Sequence, residues 1–459
     1  MKFTKKQLWL LIFPLLIQQL LAVTIGLADS MMVSSAGEAA VAGVSLVNSL
    51  DILLITLFSA LAAGGAIITS QFIGKGDLKL ANKSAKQLLY VTVGVATVIS
   101  VVIIIIRVPL LDLIFGDVEA AVMENALSYF FFLALSFPFL ALYDSGAAVL
   151  RSMGKSTVSM LCSVLMNLIN VAGNALFIFG FGLGAAGAAL GTLISRIIGS
   201  LVMTVIIHNK QNPVHIEKLF SYKPDGAIIR RILVVGIPGG LENSMFQFGK
   251  LLTQSLISTM GTAAIAANSV GHMLATFQYM PGQAISLATV TVVGQCIGAH
   301  DKKQATKYAR ILIGITFVAL WVMCLMSVLC GKWVIGIYNV SAQASDMAFQ
   351  LILYHSLVAA LIWPISFTLP GSFRSASDVR FPLIISALSM WIFRVGTSYF
   401  LALESVNVFG LFSIKGFGLG VLGVWIAMTL DWVFRAILFA WRHLSGRWLT
   451  KYRDMKHSD

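Results

Sequence analysis

The chain has 459 residues, of which 58% are hydrophobic and only 11% charged, and its mean hydropathy is +0.89. These values exclude an ordinary soluble globular domain and indicate a protein with many membrane-spanning helices. The formal net charge of +13 would suggest nucleic-acid binding in a soluble protein. Here the basic residues cluster in the connections between apolar segments. We therefore expect the lipid bilayer as a partner, and no nucleic acid.

Apolar segments separated by polar turns predict an all-α integral membrane protein with twelve transmembrane helices. Their approximate ranges are 8–34, 48–74, 86–108, 121–147, 157–182, 186–209, 230–258, 270–298, 306–331, 345–372, 380–405 and 418–443. The first segment is too long for the core of a signal peptide, and no small-residue cleavage site follows it. We interpret it as a retained helix.

Most of the 32 Lys and Arg residues lie in alternate connections of this arrangement. The opposite connections contain only Arg107, Lys332 and Lys415. By the positive-inside rule, both termini and the 208–231 segment lie in the cytoplasm, and the protein is a multi-pass protein of the cell membrane.

The chain also contains an internal repeat with an offset of 224 residues. Gln71-Phe72-Ile73-Gly74 precedes Asp77, and Gln295-Cys296-Ile297-Gly298 precedes Asp301. The same offset pairs Pro14 with Pro238, Gln18 with Glu242, Gly37 with Gly261, and Asp29 with Thr253. The proline is therefore repeated, whereas the acid is not.

Six helices per repeat is an even number, so both halves enter the membrane from the same side as parallel repeats. The predicted organisation is an N-lobe at residues 1–209, a cytoplasmic linker at 210–229, a C-lobe at 230–443 and a cytoplasmic tail at 444–459. We expect the substrate site to lie between the two lobes.

The first helix contains a proline, Pro14, and an acid, Asp29. At 1.5 Å per residue they lie about 22 Å apart, so both fit within a hydrocarbon core of roughly 30 Å. A charge at that depth costs about 2.5–3.5 kcal/mol, and such acids typically mark ion or substrate paths. The alternative is an acid satisfied by serines at the helix end. The favoured interpretation is a hinge at Pro14 and a functional carboxylate at Asp29.

Two asparagines, Asn170 and Asn174, lie one turn apart on the fifth helix. Their amide carbonyl oxygens suit a hard cation such as Na⁺. The alternative is hydrogen bonding between helices, which is common for Asn in membranes. The pattern favours a polar pocket in the N-lobe.

The seventh helix contains a polar stretch with Glu242, Gln247 and Lys250 near the membrane midplane. Helical spacing places Gln247 and Lys250 on one face, which indicates a wetted surface. We therefore consider Glu242, Gln247, Lys250 and the paired Gln18 as substrate-binding candidates. The alternative is an internal ion pair between Glu242 and Lys250. A charged Lys250 facing a cavity would repel organic cations.

Other buried charges are interpreted as structural. Arg196 and Arg394 are expected to be partners of buried acids or helix ends. Asp431 and Arg435 lie four residues apart on the twelfth helix, a spacing that predicts a local ion pair.

Several of these features together resemble the multidrug and toxic compound extrusion (MATE) family over essentially the whole chain. They are the repeated turn at Gly294–Ala299, Pro14 and Asp29, the turn at Leu150–Gly154 and the region Asn170–Thr192. The resemblance implies a V-shaped pair of six-helix lobes. It also implies export of organic, mainly cationic, amphipathic compounds in exchange for inward Na⁺ or H⁺.

The resemblance further implies that Asp29 is the cation-coupling acid and Pro14 the hinge, with Asn170 and Thr192 in the same pocket. Asn174 stands where some members have a second aspartate, so a Na⁺ site formed by Asp29, Asn170, Asn174 and Thr192 and simple proton coupling both stay open. Phe246 stands where a subset of members has a glutamate, so that role is not transferred to Glu242.

The favoured function is a secondary active antiporter, expected to be a monomer without a cofactor, for small amphipathic substrates. The alternative is a flippase for a lipid-linked oligosaccharide or precursor. That activity would need a strongly basic cavity, and the intramembrane bases are few: Arg196, Lys250, Arg394 and Arg435. An enzyme would need a nucleophile and base or a metal set at shared depth, and the sequence suggests none.

Overall fold

The computed structural model describes residues 3–116, 118–217, 221, 223–338, 340–408, 412–450 and 452. Residues of all four predicted segments lie outside the described residues. They are 1–2 and 117 of the N-lobe, 218–220 and 222 of the linker, 339 and 409–411 of the C-lobe, and 451 and 453–459 of the tail.

Within the described part of the chain, besides a short 3-10 helix at Arg447–Leu449, twelve long helices confirm the predicted all-α fold class. They are α1 Lys5–Ser34, α2 Glu38–Lys75, α3 Leu78–Phe115, α4 Ala120–Ser152, α5 Ser156–Gly180, α6 Gly184–His208, α7 Gly226–Ser258, α8 Thr262–Gly298, α9 Lys302–Ile337, α10 Ala342–Ser375, α11 Arg380–Ala402 and α12 Gly420–Leu444. Eleven of these described helices are long and apolar enough to span a membrane. The other is α7, which contains Glu242 and Lys250.

Several helices extend beyond their predicted apolar segments. The third was predicted at 86–108, but α3 spans Leu78–Phe115 and begins where the Asp77 carboxylate accepts a hydrogen bond from the Leu80 backbone amide at 3.0 Å. The length of an apolar segment predicts only the part of a helix that lies in the hydrocarbon core. Polar turns at the ends of the helix are therefore not predicted. α11 instead ends earlier than predicted, at Ala402 rather than residue 405.

Three helices contain π-helical segments that the sequence did not predict. They are Ala175–Gly180 in α5, Pro364–Thr368 in α10 and Ser389–Gly396 in α11. Such segments disturb the regular backbone ladder and are frequent at functional sites. After α11 an antiparallel hairpin, also not predicted, pairs β1 Ser405–Val408 with β2 Phe412–Lys415.

The chain divides into two compact units. The first comprises Met1–Gly240 with Gly294–His300, and the second comprises Leu241–Val293 with Asp301–Asp459. The core of the first unit lies where α4 packs against α2, α3 and α6. Phe58 and Phe137, both fully buried, contact there with their ring centroids 5.7 Å apart. The lobe boundaries expected from the sequence, at 209 and 230, stay predictions.

The internal repeat is visible in local backbone geometry. Asp77 and Asp301 adopt nearly the same conformation, with φ of −90° and −92°, and each caps the helix that follows it. Gly37 and Gly261 have positive φ angles of 99° and 96°. Turns of the same shape at paired positions show that the two halves share one local fold.

The two copies of the repeated motif contact each other within the first unit. A side chain on Gly74 would overlap the backbone carbonyl of Gln295, and one on Gly298 would overlap the backbone carbonyl of Gln71. The Gln295 side chain also donates a hydrogen bond to the Ser152 carbonyl at 2.7 Å. Glycine is required at both positions because backbone approaches backbone.

Glycines of the second unit differ in the space around them, which gives a test of its packing. A Cβ on Gly282 would overlap the buried Trp363 ring, whereas a Cβ on Gly314 would meet nothing within 4 Å. We expect Gly282→Ala to destabilise the protein by about 1–3 kcal/mol. Gly314→Ala should leave stability unchanged or raise it slightly, because alanine is the better helix former. Thermal unfolding of the purified protein in detergent would measure both, and equal midpoints for the two variants would contradict the packing at Trp363.

Candidate functional site

Four sequence-predicted residues come together in the first unit as one hydrogen-bonded chain, here called the Asp29 network. Asn174 on α5 donates from Nδ2 to Asp29 Oδ1 on α1 at 2.7 Å, and Asn170 Oδ1 lies 3.4 Å from the same Nδ2. Asn170 Nδ2 in turn donates to Thr192 Oγ1 on α6 at 3.1 Å. The network therefore links three helices through one carboxylate, two amides and one hydroxyl.

A glycine on α6 sets how closely these groups pack. A Cβ on Gly191 would overlap Asn174 Oδ1, so glycine lets α6 lie directly against this amide. Asn174 Oδ1 is buried and accepts no hydrogen bond from the described residues. A buried acceptor without a donor is costly. This oxygen belongs to the same amide whose nitrogen donates to the Asp29 carboxylate.

The structure adds a further acid in the first unit, the buried Asp51 on α2, which the sequence analysis missed. Its side chain lies 3.8 Å from Arg196 Nη2, and Arg196 Nη1 donates to Ser136 Oγ at 2.7 Å. Arg196 is thus paired with a buried acid, as predicted for it. The missed signal was the one used for Asp29, because Asp51 also lies in a predicted transmembrane segment, 48–74.

The two other candidates on α1 lie nearer its start. α1 continues as a helix through Pro14, which lacks the backbone N–H that the ladder would use there. Gln18 Nε2 donates to Ser159 Oγ on α5 at 3.0 Å. The hinge role of Pro14 and the substrate role of Gln18 stay predictions, and Gln18 ties α1 to the same helix as Asn174.

In the second unit, Glu242 is held by partners from other helices. Glu242 Oε2 forms an ion pair with Arg374 Nη2 of α10 at 2.8 Å, and Oε1 accepts a hydrogen bond from Ser386 Oγ of α11 at 2.8 Å. The alternative of an internal pair between Glu242 and Lys250 is wrong. The ion-pair partner of Glu242 is Arg374, which is distant in sequence but adjacent in the fold.

Asp431 and Arg435 form the local ion pair that their spacing predicted, with Arg435 Nε 2.7 Å from Asp431 Oδ1. Arg435 Nε also donates to Ser389 Oγ at 2.7 Å. Arg394 Nη1 lies 3.8 Å from Asp431 Oδ2, so Asp431 lies between two arginines. Asp431 is fully buried, which makes this pair a structural core of α11 and α12.

One aromatic ring, Phe246 on α7, lies at the centre of these charges. Three cationic groups approach it: Lys250 Nζ at 5.1 Å, Arg394 Cζ at 5.0 Å and Arg435 Cζ at 5.6 Å from the ring centroid. Gln247, the other candidate on α7, is half-buried, and its side chain forms no hydrogen bond with the described residues. We call the following set the Phe246 cluster: Glu242, Phe246, Lys250, Arg374, Arg394, Asp431 and Arg435.

Twelve largely apolar helices in a duplicated chain, with buried polar networks in each unit, define a polytopic membrane transporter. The MatE family model matches residues 14–176 and again residues 238–400. The two matches begin 224 residues apart, the offset of the internal repeat. The chain therefore belongs to the MatE family, a family of transporters rather than enzymes.

Related sequences and solved structures match this chain over nearly its whole length. The "Uncharacterized transporter YisQ" of Bacillus subtilis (strain 168) is 30% identical, over 97% of this chain and 95% of the relative. The "Probable multidrug resistance protein NorM" of Thermotoga maritima is 26% identical, over 97% and 93%. The structure titled "Outward-facing conformation of a multidrug resistance MATE family transporter of the MOP superfamily" superposes with a TM-score of 0.87 at 22% identity, covering 98% of this chain and 99% of that one. At that identity it shows a shared fold.

The buried pair of Asp431 and Arg435 can be tested by a double-mutant cycle. We expect Arg435→Gln to lower stability by about 3–5 kcal/mol, because it leaves a buried carboxylate without its closest partner. Asp431→Asn alone completes the cycle, and the double variant Asp431→Asn with Arg435→Gln should lose less stability than the two single variants added together, since both charges are gone. Arg380→Gln, at an exposed arginine of the same unit, is the matched control and should change little. Strictly additive losses in thermal unfolding would show that the two side chains do not interact.

Proposed function

We propose that this chain is a secondary active antiporter that exports amphipathic organic compounds in exchange for inward Na⁺ or H⁺. The observation that carries the proposal is the Asp29 network. In it a carboxylate of a largely apolar helix accepts a hydrogen bond from one amide, which is linked to a second amide and a hydroxyl. An acid at membrane depth is retained at a cost, and ion coupling gives it a use.

The chemistry of the network suits either ion. The groups that could contact Na⁺ are oxygens: the Asp29 carboxylate, Asn174 Oδ1, Asn170 Oδ1 and Thr192 Oγ1. Oxygen donors are the ligands that hard cations prefer. A proton would neutralise the same carboxylate without further ligands. The choice between Na⁺ and H⁺ is therefore a matter for measurement.

Coupling would arise because the ion changes how α1 is held. Asp29 contacts Asn174, and Gln18 contacts Ser159, so α1 is attached to α5 at two levels. Pro14 lies on the other side of Gln18 and weakens the helix ladder there. If the cation-loaded network favours one bend of α1 and bound substrate favours another, each ligand lowers the affinity for the other.

The relatives support the cargo of this proposal. Two relatives, the NorM proteins of Thermotoga maritima and Halalkalibacterium halodurans, are named as probable multidrug resistance proteins. We propose the cell membrane as the location, with both termini in the cytoplasm, and a monomer as the working unit. The family resemblance implies a mainly cationic substrate, and comparing transport of a cationic and a zwitterionic probe tests that expectation.

The decisive experiment uses proteoliposomes with an imposed Na⁺ or H⁺ gradient and two fluorescent probes, cationic ethidium and zwitterionic norfloxacin. Asp29→Asn should reduce gradient-driven transport to the rate of protein-free liposomes while the variant remains folded. Gly191→Ala should also impair coupling, because it displaces Asn174 and leaves Asp29 unchanged. Asp112→Asn, the same substitution at an exposed acid of α3, is the matched control.

The two gradients separate the ions. Transport driven by Na⁺ at equal pH on both sides identifies Na⁺, and transport driven by a pH gradient without Na⁺ identifies H⁺. Unchanged transport by Asp29→Asn under both gradients would contradict the proposal.

A further inference from the structure

We propose that the Phe246 cluster is an anion-binding site that holds the carboxylate of an amphipathic substrate. The inference rests on the proposed function, because it names the substrate class of that transporter. It is carried by the contacts and charges within the second unit.

The cluster contains more positive than negative charge. Its bases are Lys250, Arg374, Arg394 and Arg435, and its acids are Glu242 and Asp431. Both acids are already engaged at short distance, Glu242 by Arg374 at 2.8 Å and Asp431 by Arg435 at 2.7 Å. Two bases are left without a close acid of their own.

These two bases are Arg394 and Lys250. Arg394 is only 6% exposed, and its Nη1 forms no hydrogen bond with any described residue. Its closest acid, Asp431, is 3.8 Å away and shared with Arg435. Lys250 forms no ion pair or hydrogen bond through its side chain within the described chain, and its contact is the Phe246 ring. A cation in an apolar setting is costly when its counter-charge is shared or absent, and an anionic ligand lowers that cost.

Phe246 gathers the cations without neutralising them. A cation gains less from an aromatic face than from a close ion pair in an apolar setting. Three cationic groups within 5.6 Å of one ring centroid also repel one another. A carboxylate placed among them would be attracted by all three, and the planar guanidinium of Arg394 can hold it in a bidentate fashion.

The neighbourhood of the cluster suits the apolar part of the same ligand. The ring centroid of Phe367 lies 6.1 Å from that of Phe246. Phe367 and Tyr279 each stack on Trp363, with centroid distances of 5.0 Å and 5.8 Å. Phe367 and Arg394 both lie in π-helical segments, where the backbone departs from the regular helix. Bases beside stacked aromatic rings match an aromatic compound that carries a carboxylate.

Lys250 offers the cleanest test because its removal leaves no acid unpaired. The probes are dansylglycine, which carries a carboxylate, and dansylglycinamide, which carries a neutral amide on the same fluorophore. Binding is measured by fluorescence on purified protein in phosphatidylcholine nanodiscs without an ion gradient. We expect Lys250→Gln to weaken dansylglycine binding about tenfold and leave dansylglycinamide unchanged. Lys250→Arg should retain most of the carboxylate affinity because it keeps the charge.

The matched control is Lys332→Gln, since Lys332 lies over the Phe349 ring at 5.0 Å in the same unit but outside the cluster. It should change neither affinity. Equal binding of the two probes to the unaltered protein, or equal weakening of both by Lys250→Gln, would overturn the proposal. Loss of dansylglycine binding when phosphatidylglycerol is added would also overturn it, since the site would then belong to a lipid headgroup.

This measurement does not depend on transport. Carboxylate-selective binding with no gradient-driven movement of any probe would leave the anion site standing and reject the antiport proposal. Antiport of ethidium without carboxylate-selective binding would support the antiport proposal and reject the anion site.

Discussion

The cost of placing charge inside a membrane governs this structure. Each unit retains buried ionisable groups, and several of them have partners on other helices. In the first unit Asn174 holds Asp29, and Arg196 lies against Asp51. Because these contacts join helices that are distant in sequence, a change of protonation or ion occupancy at one group alters how a whole helix is held.

The repeat makes the difference between the two units informative. Both halves keep the proline of the first helix and the capping aspartate after the second, with nearly equal backbone angles. Asp29, however, corresponds to Thr253, whose hydroxyl donates to backbone carbonyls of its own helix. The first unit therefore presents a carboxylate among amides, whereas the second gathers bases around Phe246. The two copies of one duplicated fold therefore contain polar sites of opposite charge, one acidic and one basic.

The fold and the members of the Asp29 network could be predicted from the sequence for clear physical reasons. Hydrophobic length is a direct consequence of bilayer thickness, and the four-residue spacing of Asn170 and Asn174 puts them on one helix face. It failed where the partner was distant in the chain. The sequence offered Lys250, four residues from Phe246 on the same helix, as an alternative ion-pair partner for Glu242, but Arg374 forms that pair. The π-helical segments have no compositional signal, so the setting of Arg394 could not be foreseen.

The reciprocal contact of the two repeated turns has a consequence for how such a chain can change. Gly74 lies against the Gln295 carbonyl and Gly298 against the Gln71 carbonyl, the arrangement of an isologous interface in a symmetric dimer. Each copy of the motif is thus part of the steric environment of the other. A larger residue in either copy would meet the same obstacle, so the two turns are constrained together. The two halves can differ in sequence more readily away from this contact, as they do at Asp29 and Thr253.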